Sequence, residues 1–393
     1  LAALVATARL EVKAPSGRHV DTAAFNGLSC SDAHEGQIPH LEHPLAWGHT
    51  PMKVVYSDGH RGHDPERFLL RGMFVPGEEK PERADRLLGA LDRKRHQIIA
   101  PERFGNGSRL AVHSLDYLTF LEHASREWQK LPGASREVVG NVHPVRGTGT
   151  YPASLVGRAG WHLQDMACGI GPGTWAAAAD ATDVAVTAAD LLAGGERVAY
   201  ALCRPPGHHA YRDLAGGHCF LNNTAIAAER LSAQGKRRIA ILDIDIHHGN
   251  GTQEIFYRRN DVLTVSVHAD PHRFYPFFWG HAHERGEGDG EGFNINLPVP
   301  LGADDATWSA AVSAAATSVE GFAADVLVVA LGLDASFDDP FGGAKVTAAG
   351  FRRAGETIGR LRMPTLLVQE GGYLSDTLGP NLAAFIDGLE ESG

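Results

Sequence analysis

Residues 239–251 read Ile-Ala-Ile-Leu-Asp-Ile-Asp-Ile-His-His-Gly-Asn-Gly, and this run constrains the fold more than any other stretch of the chain. An apolar, strand-like segment carries Asp243, Asp245 and His247 at two-residue spacing, with Ile244 and Ile246 between them. Alternate side chains of a β-strand share a face, so the spacing predicts three metal-competent groups along one edge of a buried strand and isoleucines packed on the other. An unpartnered carboxylate in such a strand is costly, so these acids call for a cation or for hydrogen-bond donors. Capping the next helix would need one acid, whereas here two acids are followed by a histidine pair.

The surrounding pattern is α/β. Val198–Cys203, Ile239–Ile246, Val262–Val267, Val326–Leu331 and Thr365–Val368 are strand candidates, and Met52-Lys-Val-Val-Tyr-Ser-Asp opens like a first strand. Trp175–Leu192, Ala225–Gln234, Ala306–Ala323 and Gly350–Leu361 are helix candidates among them. Continuous apolar strands separated by amphipathic helices predict a mostly parallel, multi-stranded sheet with helices on both faces. Four of these strands run directly into reactive groups: Arg204-Pro-Pro-Gly-His208-His209, His247-His248-Gly-Asn250-Gly, Gly332-Leu-Asp334 and Glu370-Gly-Gly-Tyr373. Open α/β sheets bind ligands beyond the strand C-termini, and that is where these groups are expected to meet.

Composition narrows the class. A net charge of −11 argues against nucleic acid and suits a cationic substrate. No run of about 18 apolar residues is present to cross a membrane. Cys30, Cys168, Cys203 and Cys219 are scattered without a CxxC pair, which gives neither a disulfide framework nor a cysteine zinc site and suggests a reducing, cytoplasmic setting.

Asp245, His247 and Asp334 together offer one imidazole and two carboxylates and leave coordination positions open, the arrangement of a catalytic rather than a structural zinc. Iron(II), cobalt or manganese also suit oxygen-rich ligands. Such a metal would lower the pKa of its water and polarise a substrate carbonyl. Asp243 could orient and charge-stabilise one imidazole of the His208–His209 pair, and Asn250 could orient the other without adding charge, leaving it better able to accept a proton. Gly371 and Gly372 allow a sharp turn that aims the Tyr373 hydroxyl at the site, where a phenol would stabilise an oxyanion.

Arg204–Ala210, Gly216–Asn223, Leu242–Gly251, Glu370–Tyr373 and Val112–Leu118 resemble, in order and spacing, motifs of the histone deacetylase superfamily, most of all its bacterial acetylpolyamine amidohydrolase branch. The resemblance implies a single-domain arginase/deacetylase fold from Met52 onward and a zinc ion (Zn2+) on Asp245, His247 and Asp334. It also implies that Tyr373 is the oxyanion donor, His209 the principal general base and acid, and His208 its electrostatic partner backed by Asp243. Gly217, His218 and Tyr275 would wall a substrate tunnel, more polar than usual because His218 stands where Phe or Tyr is common. A structural potassium ion (K+) would fall around Asp243, Asp245, His247 and Ser266.

The implied activity is release of acetate or a short acyl group from an acylpolyamine or acyl-lysine, with no nucleic-acid or membrane partner and a homodimer left open. A binuclear manganese ureohydrolase and a non-catalytic protein retaining the fold are the alternatives. The ureohydrolase would need further aspartates on the metal strand and near Asp334, and Gly249-Asn-Gly does not supply them. Relatives that select polyamines place an acid near residues 150–160, where this chain has Val156, and no acid lies between His143 and Gln164. Only a modest preference for polyamines is therefore expected, unless the loop with Glu284, Glu287, Asp289 and Glu291 supplies the charge.

Residues 1–51 lack sustained periodicity and read as an extension outside the core, with Leu1–Ala8 as a signal-peptide tail the less favoured alternative. A protein starting at Met52 is expected to keep its activity and its melting temperature. A large drop in melting temperature on truncation would show that the segment docks on the core.

Overall fold

Apolar side chains alternating between two covered faces set the strands. The computed structural model describes residues 51–91, 95–145 and 149–393, so the expected extension lies, but for Pro51, outside the described residues. Ten strands form among them: β1 (Met52–Val55), β2 (Arg67–Leu70), β3 (Met73–Pro76), β4 (His96–Ile99), β5 (Val198–Ala201), β6 (Ile239–Asp243), β7 (Val262–Ala269), β8 (Asn294–Val299), β9 (Val326–Leu331) and β10 (Thr365–Gln369). Eight of them make one sheet in the order β4-β1-β5-β10-β9-β6-β7-β8, and every pairing in it is parallel. β2 and β3 form a separate antiparallel hairpin.

Alternation assigns the faces. Ile239 and Ile241 of β6, with Val328, Leu366 and Val368, join a core with Val184 of helix Thr174–Ala193 and Ile226 of helix Asn223–Ala233. Ala240 and Leu242, with Val329 and Leu367, join the other core with Trp308 of helix Asp305–Phe322, Phe351 of helix Ala348–Gly359 and Phe385 of helix Leu378–Ser392. Helices therefore cover both faces, as the continuous apolar strands predict.

The strand order decides function. β5, β10, β9 and β6 are consecutive neighbours in the middle of the sheet. These are the four strands whose C-terminal ends carry the histidine pair, the tyrosine loop, Asp334 and the acidic run. Widely separated segments thus deliver their polar groups to one crevice.

One expectation is corrected. The strand expected over Ile239–Ile246 stops at Asp243, so Asp245 and His247 sit beyond the ladder rather than along a strand face. The acids themselves end it. Asp243 Oδ1 accepts from Asp245 N at 3.1 Å and Asp245 Oδ1 accepts from His247 N at 2.8 Å, each diverting an N–H from strand pairing. Ile246 N donates to Asp334 Oδ1 at 2.9 Å and not to a neighbouring strand. Ile244 and Ile246 still pack in the apolar core, as the alternation requires.

β4, β8 and the β2–β3 hairpin carry weak sequence signals. β8 reads Asn-Ile-Asn-Leu-Pro-Val and tolerates Pro298 because it pairs on one side only. Cys168, Cys203 and Cys219 are buried and free. Among the described residues no helix is long and apolar enough to cross a membrane.

Candidate active site

The three expected metal ligands converge. His247 Nδ1 lies 3.2 Å from Asp245 Oδ1 and 3.0 Å from Asp334 Oδ2, with both carboxylates wholly buried. A tetrahedral ion with bonds of about 2.0–2.1 Å spaces its ligand atoms about 3.3 Å apart, so the donor set fits a divalent cation. The backbone leaves room for these carboxylates: a Cβ at Gly371 would fall 2.3 Å from Asp334 Oδ2, and one at Gly332 would fall 2.3 Å from Asp245 Oδ2. Gly371 N donates to Asp245 Oδ2 at 2.8 Å, and Phe274 stacks on the His247 ring.

The electrostatics are those of a cation site. Burial lowers the pKa of His247, yet the Asp245 and Asp334 carboxylates outweigh it and raise the value to about 10. Burial and the Asp245 charge push Asp334 up to about 6. Asp245 moves down despite burial, because His208 and His247 stabilise its charge.

The two imidazoles of the loop after β5 have different partners. His208 Nδ1 donates to Asp243 Oδ2 at 2.9 Å, and His209 Nδ1 donates to Asn250 Oδ1 at 2.6 Å. Asn250 in turn donates through Nδ2 to the Tyr211 hydroxyl at 2.9 Å, which fixes its amide orientation. Each histidine therefore carries a proton on Nδ1, and the neutral His209 leaves its Nε2 free to accept one. Burial opposes charge on both rings, but Asp245 and Asp243 raise His208 to about 10, while burial and the neighbouring His208 hold His209 well below the usual histidine range. Adjacent rings with opposite shifts can divide charge stabilisation from proton transfer.

Tyr373 is buried on the loop after β10, with its backbone N–H donating to Asp339 Oδ2 at 2.9 Å. The Arg83 guanidinium lies 4.6 Å from its ring centre, and Phe341 meets it edge-on. Burial keeps the phenol well above its ordinary pKa and therefore a donor.

The expected tunnel residues gather at the same end of the sheet. Gly217 has φ +52°, and a Cβ there would fall 2.4 Å from His209 Cδ2 and 3.0 Å from the Tyr275 hydroxyl, so only glycine fits against these two side chains. Tyr275 stands perpendicular to His209 with ring centres 5.0 Å apart. His218 packs near Tyr373, Phe341 and Phe68, and donates through Nδ1 to Ala167 O at 3.0 Å.

The second-cation residues are also neighbours. Ser266 pairs in register with Asp243 across β6 and β7. His268 Nε2 donates to Gly280 O at 2.8 Å, so its Nδ1 accepts from Ser266 Oγ at 2.8 Å and the serine oxygen keeps its lone pairs.

Several functional residues escaped the sequence reading. Asp165 lies one position past the interval searched for an acid. Its carboxylate accepts from Gly217 N at 3.1 Å and from the Tyr275 hydroxyl at 2.7 Å, between two expected tunnel walls. Arg83, wholly buried on helix Glu82–Ala90, donates to Gly372 O at 2.5 Å and Glu370 O at 2.7 Å, anchoring the tyrosine loop. No local pattern marks these residues, since their partners are distant in sequence. The acidic loop, read as solvated before it is read as a substitute acid, is divided: Glu284 turns inward to Gln253 Nε2 at 2.7 Å and Gly280 N at 2.9 Å, while Glu287 pairs with Arg258 at the surface. Val156 is partly exposed on helix Leu155–His162.

Among the described residues the other cluster of metal-competent groups is His208, Cys219 and Glu370. The Glu370 carboxylate is already taken by Gly207 N, His208 N and Thr224 Oγ, so this cluster is no second metal site of the ureohydrolase kind.

Residues 77–389 match the family model of the histone deacetylase domain. The chain is 44% identical over 343 residues to acetylpolyamine amidohydrolase 1 of Pseudomonas aeruginosa, covering 86% of this chain and 99% of that protein. It is 40% identical over 340 residues to the acetylpolyamine amidohydrolase of Mycoplana ramosa, with the same coverage of 86% and 99%. The crystal structure of an acetylpolyamine aminohydrolase from Burkholderia pseudomallei superposes with a TM-score of 0.84 at 43% identity, over 87% of this chain and 99% of that one. With its parallel sheet and this cluster of side chains at the strand ends, the chain belongs to the histone deacetylase family of amide hydrolases.

Proposed function

We propose that this protein hydrolyses a short-chain acylated alkylamine, an acetylpolyamine before an acyl-lysine. The carrying observation is that the buried Asp245–His247–Asp334 set, two oppositely tuned imidazoles and the Tyr373 phenol all meet beyond four adjacent strand ends. A divalent cation held by those three ligands, zinc in our reading, supplies Lewis acidity that lowers the pKa of water and polarises a carbonyl.

The chain's own groups do the rest. His209 Nε2, unprotonated at neutral pH, takes the proton of the attacking water and returns it to the leaving amine nitrogen as the C–N bond breaks. His208, its positive charge favoured by the Asp243 carboxylate on its Nδ1, offsets the negative charge that develops beside it. The Tyr373 hydroxyl donates to the carbonyl oxygen as that atom becomes an oxyanion. Potassium near Asp243 and Ser266 would help fix the loop that carries the ligands, an expectation supported by the free lone pairs of Ser266.

Asp165 revises the substrate expectation. The absence of an acid at Val156 argued for little selectivity, but the Asp165 charge beside Gly217 and Tyr275 favours a chain with a distal ammonium. A charge-assisted contact of that kind is worth about 1.5–3 kcal/mol, or roughly one to two decades in selectivity. Specificity constants for acetylputrescine, acetylcadaverine and an acetyl-lysine peptide are the test. A diamine is expected to lead, and its lead to shrink in Asp165→Asn. Equal constants in the wild type would reduce Asp165 to a brace between the tunnel walls.

A further inference from the structure

We propose that Glu370 is a positioning residue that locks the imidazole loop to the tyrosine loop, so that His209 and Tyr373 address the same substrate carbonyl. The inference rests on the deacylase reading of the site. Glu370 directly follows β10, is wholly buried, and precedes Tyr373 by three residues. Its side chain crosses to the loop after β5, where one oxygen, Oε2, accepts from Gly207 N at 2.6 Å and His208 N at 3.0 Å. The other oxygen, Oε1, accepts from Thr224 Oγ at 2.7 Å, near the start of helix Asn223–Ala233.

The backbone around it is tied equally closely. Glu370 O accepts from Arg83, and the next N–H, that of Gly371, donates to Asp245 Oδ2. One residue thus touches the backbone of His208, neighbours the donor to a proposed metal ligand, and begins the loop that ends in Tyr373. The two loops are about 160 residues apart in sequence, with |i−j| of 162 between Glu370 and His208, so no local turn sets their separation. Two N–H groups converging on one oxygen demand a strong acceptor at that point. Glutamine supplies the same acceptor through its amide oxygen and can donate to Thr224 Oγ, whereas alanine supplies nothing.

Backbone hydrogen exchange of the segment 204–210, read by mass spectrometry on the metal-loaded protein, tests the anchoring without substrate. Glu370→Ala is expected to speed exchange there by about tenfold or more, because the Gly207 and His208 amides lose their acceptor. Turnover should fall by roughly 10- to 100-fold from misplacement alone. KM should stay within about threefold. Glu370→Gln should restore most of both exchange protection and kcat. Wild-type exchange and wild-type kcat in Glu370→Ala would overturn the proposal, as would a kcat in Glu370→Gln no better than in Glu370→Ala. If Glu370→Ala does not fold, Thr224→Val frees Oε1 alone and should loosen the same segment and lower kcat by a smaller factor. A Thr224→Val protein with wild-type values in both measurements overturns the proposal too. Exchange needs no substrate, so failure of the anchoring and failure of the deacylase reading are separate results.

Discussion

Asp245→Ala will purify with little bound metal and with turnover at background, and Asp334→Ala will do the same. Each carboxylate is one of the three groups proposed to hold the cation, and both are wholly buried. Asp245 also accepts from His247 N and Gly371 N, so its loss leaves two buried N–H groups without partners. Each costs about 1–3 kcal/mol, which should appear as a lower melting temperature. Elemental analysis and turnover on one preparation check the result. In the wild type a chelator should remove activity and zinc or cobalt should return it. Full turnover from wild-type protein without detectable metal would end the metal-dependent reading.

Tyr373→Phe removes one oxygen and little else. The ring keeps Arg83 over its face and Phe341 at its edge, so fold and metal content should be unchanged. Turnover should nevertheless fall by roughly 10²–10³, the usual loss for deleting one oxyanion donor. KM should change far less, because the hydroxyl strengthens its bond only as negative charge develops. His209→Ala should cost at least as much while retaining metal, since no other unprotonated imidazole is held by Asn250. Unchanged turnover in Tyr373→Phe would make the tyrosine a packing residue, and steady-state kinetics with matched metal analysis decide between the two.

The residues offered for the chemistry were legible because their signals are local. Acids and a histidine interrupting an apolar run at Asp243–His247, a proline-stiffened histidine pair at 208–209, and a double glycine before Tyr373 each stand out within a few residues. The apolar runs that became β5, β6, β7, β9 and β10 were equally plain, because a strand covered on both faces must be almost wholly apolar. The same rule explains what was missed, since the edge strand β8 alternates asparagine with isoleucine and leucine.

Where β6 ends was not legible in the apolar pattern, and the structure decided it through local bonds as well as the distant one from Ile246 N to Asp334. The side chains of Asp243 and Asp245 capture the N–H groups two residues on, a competition between turn and ladder that periodicity does not register. Only the strand order made neighbours of four loops far apart in sequence. Asp165, Arg83 and Glu370 acquired their places in the same way. An aspartate next to a helix, an arginine on an amphipathic helix and a glutamate before a turn are unremarkable locally. Each matters because folding brings a distant backbone or hydroxyl group within hydrogen-bond reach, and burial then requires that bond to be made.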